Sequence, residues 1–187
     1  MNKCKIAFDI DGTIVDLYNC LKRSIERDLN KDLEDSDNYF VAESWNLDKD
    51  YVMDHIVKLA FDYNNLVIYD GVYKVLKTIF DKTQEPIQFV TSRPINQAFA
   101  THMLIRRALI DIPYQIAFAE SNENKIKFLS NFCCFMEDRR KTAIEIANAG
   151  NTVFVPKHCY NKMDDSNPNI IKIDRFIDLE DYMHIIT

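Results

Sequence analysis

The chain has 187 residues, of which 47% are hydrophobic and 12% aromatic, so it is long and apolar enough to bury a sizeable core. Its formal net charge of −6, with acidic residues spread along the chain, argues against long nucleic acid as a partner, because gripping a phosphate backbone requires clustered Lys and Arg. A small phosphorylated substrate is compatible with this charge if a metal ion and a few basic side chains concentrate positive charge locally.

Glycine is scarce, and its positions exclude two common nucleotide-binding loops. The three glycines are Gly12, Gly71 and Gly150, which cannot form a G-x-G-x-x-G turn or a G-x-x-x-x-G-K-[ST] loop. Dinucleotide binding of the Rossmann type and P-loop chemistry are therefore disfavoured. The four histidines show no zinc-binding spacing.

The location of the protein is predicted from its apolar runs and cysteines. The N-terminal apolar run ends at Asp9, which is too early for a signal peptide, and no run approaches the ~20 apolar residues that cross a membrane. Five cysteines, an odd number without a C-x-x-C pair, favour a reducing compartment over a disulfide framework. We therefore expect a cytoplasmic protein without a membrane partner, and the oligomeric state stays open.

Short apolar runs alternate with segments of helical period along the chain. The spacing predicts strands over 5–8, 87–90, 114–119, 132–136, 152–155 and 170–173. It predicts helices over 17–29, 49–61, 72–80, 96–109, 123–129 and 142–149, with a short helix at the C-terminus. The polar stretch 30–48 is expected to be irregular.

This alternation predicts the fold class and its division into domains. From residue 86 onward strands and helices alternate, which favours a parallel sheet with helices on both faces, a three-layer α/β/α Rossmann-like architecture. Residues 16–70, inserted between the first and second strands, are predicted to form a small helical cap. Residues 1–15 and 71–187 would then form the core domain.

Polar residues follow four of the predicted strands, at the edge where ligands bind in open parallel sheets. Four groups would converge there: Asp9 and Asp11, then Thr91 with Ser92, then Lys125, and finally Glu137 with Asp138. This set of carboxylates, hydroxyls and one ammonium suits phosphoryl transfer through a covalent aspartyl phosphate.

The carboxylates have distinct expected roles in that chemistry. Asp9 would attack phosphorus, and Mg²⁺ would be bound by Asp9, the backbone carbonyl of Asp11, and Asp138, since magnesium prefers hard oxygen ligands. Asp11 would protonate the leaving alkoxide and then deprotonate the attacking water. Glu137 is expected to support the metal ligands from outside the first layer.

The remaining polar groups are expected to bind phosphate. Thr91 would donate a hydrogen bond to a phosphate oxygen beside the backbone amide of Ser92, and Lys125 would neutralise charge that develops on the transferring group. Lys127 competes with Lys125 for this role, and Lys125 is favoured because it opens the predicted helix. Arg93 could reach a substrate or lie at the surface.

The chain resembles the haloacid dehalogenase-like (HAD) phosphatase superfamily at four segments, which follow in the expected order: IAFDIDGTIVD, FVTSRP, the Lys of NENK, and FMEDRR. The resemblance covers most of the chain outside the predicted cap. It implies an HAD-like core and a Mg²⁺-dependent phosphomonoesterase with Asp9, Asp11, Thr91, Lys125 and Asp138 in the roles given above.

Within that superfamily the chain looks most like the 5′(3′)-deoxyribonucleotidase group. The similarity rests on the small helical cap, on TSRP, on EDR and, more weakly, on the late segment VFVPKHCYN. It implies a nucleoside monophosphate as substrate, with Tyr18 and Trp45 of the cap, and Arg93, as possible substrate-binding residues. Aromatic side chains can stack on a base, although they more often form a core.

Other interpretations stay open. Asp138 could be a helix N-cap and Thr91 with Ser92 could cap the next helix, because both residue types suit those positions. Rival activities are a phosphatase for a sugar phosphate or another small metabolite, a phosphomutase, and an end-processing phosphatase for polynucleotides. A non-catalytic phosphate-binding regulatory module is the alternative from a different class.

Overall fold

Six short apolar segments form one parallel sheet in a computed structural model that describes residues 5–162 and 166–186. The strands are β1 (Ile6–Phe8), β2 (Ile87–Thr91), β3 (Tyr114–Phe118), β4 (Cys134–Met136), β5 (Thr152–Pro156) and β6 (Ile170–Ile173). Their order across the sheet is β3-β2-β1-β4-β5-β6, and every neighbouring pair is parallel. All strands therefore end at one edge.

Strand β1 occupies the middle of the sheet, and its register aligns the ends of its neighbours. Phe8 pairs with Phe89 of β2 on one side and with Met136 of β4 on the other. Residues that follow these three strands consequently emerge side by side. The register thus brings together segments that are about 130 positions apart in the sequence.

Helices connect the strands. The α-helices are α1 (Leu17–Leu29), α2 (Val41–Ser44), α3 (Lys49–Phe61), α4 (Val72–Thr83), α5 (Ala98–Leu109), α6 (Arg140–Asn148) and α7 (Met183–Ile186). Among the described residues, three segments form 3-10 helices instead: Ile95–Gln97, Glu123–Asn131 and Phe176–Tyr182. Helices α1 and α3 begin and end where the apolar spacing predicts, and the stretch expected to be irregular contains α2.

The sheet is the middle of three layers, which confirms the predicted fold class. Side chains alternate between the two faces of a strand. Ile6 and Phe8 join an apolar cluster that includes α4 and α5, whereas Ala7 joins a second cluster with α6 on the opposite face. Both faces of β1 are thereby shielded from water.

The two ends of residues 16–70, the predicted cap, lie next to each other where they join the rest of the chain. The amide of Asp16 donates to the carbonyl of Val67 (2.9 Å), and the amide of Tyr69 donates to the carbonyl of Ile14 (3.0 Å). Arg107 of α5 also donates to backbone carbonyls at the end of this segment. Residues 16–70 are therefore connected to the rest of the chain by two neighbouring backbone segments.

Two further features concern the apolar helices and the cysteines. Within residues 5–162 and 166–186, no helix is both long and apolar enough to span a membrane. Cys133 is disulfide-bonded, whereas Cys20 and Cys159 are free thiols.

Candidate active site

The turn after β1 brings two aspartates to the edge of the sheet. The amide of Asp9 extends the sheet by donating to the carbonyl of Met136 (2.9 Å), and the hydroxyl of Thr13 closes the turn on the carbonyl of Asp9. Gly12 has φ +74°, a left-handed conformation that favours glycine. A Cβ on Gly12 would collide with the carboxylate of Asp138. Glycine here therefore permits both the turn and the close approach of Asp138.

Three buried carboxylates meet around one ammonium group. Asp9, Glu137 and Asp138 are 8%, 2% and 4% exposed, and each offers an oxygen within 4.8 Å of the others. The ammonium of Lys125 lies 2.8 Å from Oδ1 of Asp9 and 3.0 Å from Oε2 of Glu137. When all are ionised, three negative charges face one positive charge. This donor set of hard oxygens, short of positive charge, fits a divalent cation such as Mg²⁺.

The pKa values at the site reflect that charge imbalance. Burial raises the pKa of Asp9 to about 7, although the Lys125 ammonium opposes the shift. Burial, with Glu137 and Asp9 nearby, also holds the pKa of Asp138 well above its usual range. Burial by itself would lower the pKa of Lys125, but the charges of Asp9 and Glu137 raise it. Lys125 thus stays protonated, and its single positive charge is fewer than the negative charges that the carboxylates carry when ionised.

Of the two candidate lysines, Lys125 is the one placed at the cluster. It lies in the 3-10 helix Glu123–Asn131 and is 3% exposed, whereas the side chain of Lys127 is exposed. Glu137, expected outside the metal ligands, contributes a carboxylate to the cluster itself. The two oxygens of Glu137 accept from Lys125 and from the amide of Arg139 (3.1 Å).

The side chain of Asp11 faces Arg93 and lies outside the carboxylate cluster. Nε and Nη2 of Arg93 donate to the two carboxylate oxygens of Asp11 at 2.8 and 2.6 Å, a bidentate pair. Arg93 is 5% exposed, so the surface position that the sequence left open for it is wrong. Contact between Arg93 and a substrate stays a prediction. Its Nη1 is buried without a hydrogen-bond partner among the described residues. The backbone carbonyl of Asp11 as a metal ligand stays a prediction.

Thr91 and Ser92 lie at the end of β2, next to Arg93. Thr91 is buried, its Oγ1 accepts from the amide of Arg93 (3.2 Å), and its carbonyl accepts from the amide of Ala119 (2.8 Å). Ser92 is half-buried. The hydroxyl of Thr91 keeps its own hydrogen to donate, so its predicted role toward phosphate is chemically available.

The two aromatic residues of the predicted cap have different surroundings. Trp45 is buried in the core, and its indole N–H donates to the carbonyl of Glu34 (2.9 Å). The hydroxyl of Tyr18 accepts from the amide of Ser36 (2.6 Å), while its ring lies 6.0 Å from Trp45 and 5.3 Å from Tyr160. Trp45 thus has partners of its own, and substrate contact by either residue stays a prediction.

Three residues that follow β5 also contact the site, and they are not among the site residues predicted from the sequence. Tyr160 donates to Oδ2 of Asp138 (2.8 Å), and Asn161 donates to the carbonyl of Asp138 (2.9 Å). His158 Nε2 lies 2.7 Å from the carbonyl of Gly12. Applying the same argument to the fifth strand would have found them, because β5 ends at the same edge as β4.

Comparisons with known proteins agree with this fold. No family model matches the chain. A nucleotidase of Clostridium acetobutylicum is 26% identical over 183 residues, which cover 92% of this chain and 89% of that protein. Among solved structures, a haloacid dehalogenase-like hydrolase from Bacteroides fragilis aligns with a TM-score of 0.62 at 14% identity, covering 95% of this chain and 100% of that one.

A second solved structure extends the comparison to a ligand complex. A mutant of CbbY from Rhodobacter sphaeroides, in complex with xylulose-(1,5)bisphosphate, aligns with a TM-score of 0.60 at 13% identity, covering 94% and 95% of the two chains. These likenesses concern the fold. The chain therefore has the fold of the HAD superfamily hydrolases, which is the fold that the resemblance at its four motifs implied.

Proposed function

We propose that the protein is a Mg²⁺-dependent phosphomonoesterase that acts through an aspartyl phosphate on Asp9. One observation carries the proposal: the buried carboxylate of Asp9 lies 2.8 Å from the ammonium of Lys125 and within 4.8 Å of Asp138, at the edge where the strands end. A carboxylate proposed as nucleophile, a cation and the proposed metal ligands thus lie close together, which supports the proposal. The HAD-like fold and the curated nucleotidase relative support the same class of reaction.

The reaction would proceed in two displacements at phosphorus. An oxygen of Asp9 bonds to phosphorus while the bond from phosphorus to the substrate's ester oxygen breaks, and Asp11 protonates the departing alkoxide. Water activated by Asp11 then attacks phosphorus and releases Asp9 and inorganic phosphate. Lys125 and the hydroxyl of Thr91 would stabilise charge on the phosphoryl oxygens.

The metal site in this proposal consists of Asp9, Asp138 and the backbone carbonyl of Asp11, with Glu137 completing the acidic cluster. When bound, Mg²⁺ supplies the positive charge that offsets repulsion between the nucleophile and the anionic phosphate. The protein's own contribution is to keep these oxygens close together in a buried site. Lys125 holds Asp9 in place by its 2.8 Å contact.

The pairing of Asp11 with Arg93 adds a requirement to this mechanism. Both oxygens of Asp11 are occupied by the guanidinium, so Asp11 must leave the pair before it can transfer a proton. An anionic substrate would compete for Arg93, whose Nη1 lacks a partner among the described residues. Substrate binding would thereby free Asp11 for acid-base chemistry.

Residues 16–70 would act as a cap over this site. Their two connections to the rest of the chain lie side by side at Asp16–Val67 and Ile14–Tyr69, and the ring of Tyr18 lies against Tyr160 beside Asp138. A cap joined at one place can move while the sheet stays intact. It would enclose a substrate whose phosphate rests on the sheet edge and exclude water during transfer.

Nucleoside monophosphates, particularly deoxynucleotides, are the first substrate class to test. Support comes from the nucleotidase relative, which aligns over 92% of this chain, and from motifs similar to the deoxyribonucleotidase group. Sugar phosphates are the second candidate, because a similarly folded structure was solved with a sugar bisphosphate.

The test is release of inorganic phosphate from a panel of substrates. Deoxynucleoside and ribonucleoside monophosphates, sugar phosphates and a 3′-phosphorylated oligonucleotide would be compared with Mg²⁺, with EDTA, and with Asp9→Asn as the inactive control. We expect Mg²⁺-dependent release that EDTA silences, that added Mg²⁺ restores and that Asp9→Asn abolishes. Turnover that survives in Asp9→Asn, or that needs no metal, would refute the proposal.

A further inference from the structure

The segment after β5, residues 157–161, contacts the site at three points, and we call it the β5 loop. The hydroxyl of Tyr160 donates to Oδ2 of Asp138 at 2.8 Å, and the side-chain Nδ2 of Asn161 donates to the backbone carbonyl of Asp138 at 2.9 Å. The third contact joins Nε2 of His158 to the carbonyl of Gly12 at 2.7 Å. A carbonyl only accepts, so this nitrogen carries the hydrogen.

The β5 loop is itself held in one conformation. Asn161 donates a second hydrogen bond to the carbonyl of Pro156 (2.8 Å), and its side-chain oxygen accepts from the amide of His158 (2.9 Å). The rings of His158 and Tyr160 stack with centroids 4.9 Å apart and planes inclined by 17°. These contacts fix the Tyr160 hydroxyl relative to the end of β5.

Orientation of the Asp138 carboxylate depends on that hydroxyl. A carboxylate rotates about its Cβ–Cγ bond unless a neighbour fixes its plane, and rotation would move the oxygens of Asp138 relative to those of Asp9 and Glu137, which lie within 4.8 Å. The Tyr160 bond to Oδ2 fixes that plane and satisfies one oxygen. Partners that hold metal ligands in this way typically change metal affinity by ~10–100-fold when they are removed.

The glycine of the first turn leaves the space for this contact. A Cβ on Gly12 would lie 2.8 Å from the Tyr160 hydroxyl and closer still to the Asp138 carboxylate. The hydroxyl and the carboxylate therefore pack directly against the backbone of the turn that follows Asp11. Tyr160 thus connects the ends of β1, β4 and β5 at one point.

We propose that Tyr160 is a positioning residue that orients Asp138 and thereby sets the affinity of the acidic cluster for Mg²⁺. The inference rests on the proposed function in one respect, namely that this cluster binds Mg²⁺. The hydroxyl of Tyr160, rather than its ring, orients the carboxylate of Asp138. The rings of Tyr18 and Tyr39, at 5.3 and 5.8 Å, pack against the aromatic face and would do so equally against phenylalanine.

The experiment compares Tyr160→Phe with Tyr114→Phe, which removes a hydroxyl bonded to the carbonyl of His102 in another part of the protein. Isothermal titration of Mg²⁺ into the metal-free full chain gives Kd for each protein and for the wild type. We expect Kd to rise about 10- to 100-fold in Tyr160→Phe and to stay unchanged in Tyr114→Phe. In the phosphatase assay, excess Mg²⁺ should restore most of kcat to Tyr160→Phe.

Each outcome separates the two proposals. Wild-type protein that binds Mg²⁺, together with an equal Kd for Tyr160→Phe, would overturn the role of Tyr160 and leave the proposed function intact. Wild-type protein that binds no Mg²⁺ would overturn both. Should circular dichroism show Tyr160→Phe to be unfolded, Tyr160→His is compared with Tyr160→Leu, since only the imidazole can donate a hydrogen bond. Equal Kd values for that pair would also refute the inference.

Discussion

Replacement of Lys125 by methionine tests the charge balance of the site directly. The ammonium of Lys125 is 3% exposed and contacts Asp9 at 2.8 Å and Glu137 at 3.0 Å. Methionine preserves much of the side-chain volume but leaves three buried carboxylates without their cation. Breaking a buried ion pair by removal of one partner costs about 3–5 kcal/mol, because the remaining charge stays buried and uncompensated.

The expected loss translates into a measurable melting temperature. For a domain of this size each kcal/mol shifts Tm by about 2–4 °C, so Lys125→Met should melt about 6–20 °C below the wild type in metal-free buffer at pH 8. Differential scanning calorimetry measures this shift. The loss should be smaller at pH 5, where Asp9, whose pKa is about 7, takes up a proton and removes one of the uncompensated charges.

Two control variants make the result specific. Lys127→Met removes an exposed lysine two positions along, and surface substitutions of this kind usually change stability by less than about 0.5 kcal/mol. The double variant Lys125→Met with Glu137→Gln should recover part of the loss, since it also removes one buried negative charge. A Tm for Lys125→Met within about 2 °C of the wild type at pH 8 would refute the charge argument.

Three further predictions concern the first turn and the metal. Asp11→Asn should slow turnover by ~10²–10⁴-fold in the phosphate-release assay and should also lower Tm, because it breaks the bidentate pair with the buried Arg93. An unchanged rate would remove Asp11 from the mechanism. Burial raises the pKa of Asp9 from 3.8 to about 7, so the metal-free protein loses stability as pH rises between those values. The increase in Tm caused by Mg²⁺ should consequently be larger at pH 8 than at pH 5, and equal increases measured by thermal shift would contradict this coupling. Gly12→Ala should lose both activity and ~1–3 kcal/mol of stability. Its control, Gly150→Ala, is also at positive φ but has open space around it, so it should lose stability alone. Retention of full activity by Gly12→Ala would show that Asp138 can move aside.

Much of the fold could be predicted from local pattern. Helices α1 and α3 have apolar residues at helical spacing and polar caps at Asp16 and Asp48, so their limits follow from the sequence. Helix α2 was not predicted, because four residues cannot establish a period. The segment Glu123–Asn131 was expected to be a helix over 123–129, and it forms a 3-10 helix through the same residues.

The site could be predicted in position but not in its contacts. Parallel strands end at one edge, so residues after β1, β2 and β4 had to converge, and the structure places Asp9, Thr91 and Asp138 there. The pairing of Asp11 with Arg93 depends on side-chain directions that strand periodicity does not specify. Tyr160 lies beyond the four familiar motifs, and its hydroxyl could be assigned to Asp138 only from coordinates.

The bond between His158 and Gly12 joins residues 146 positions apart, and the bond between Arg93 and Asp11 spans 82 positions. Contacts at such separations form only after the intervening chain has closed its loops. A chain growing on the ribosome therefore contains Asp9 early in synthesis, whereas the β5 loop emerges late. Until residue 161 has emerged and docked, Asp138 and the turn at Gly12 lack their contacts with the β5 loop, so the proposed site is incomplete in the nascent protein.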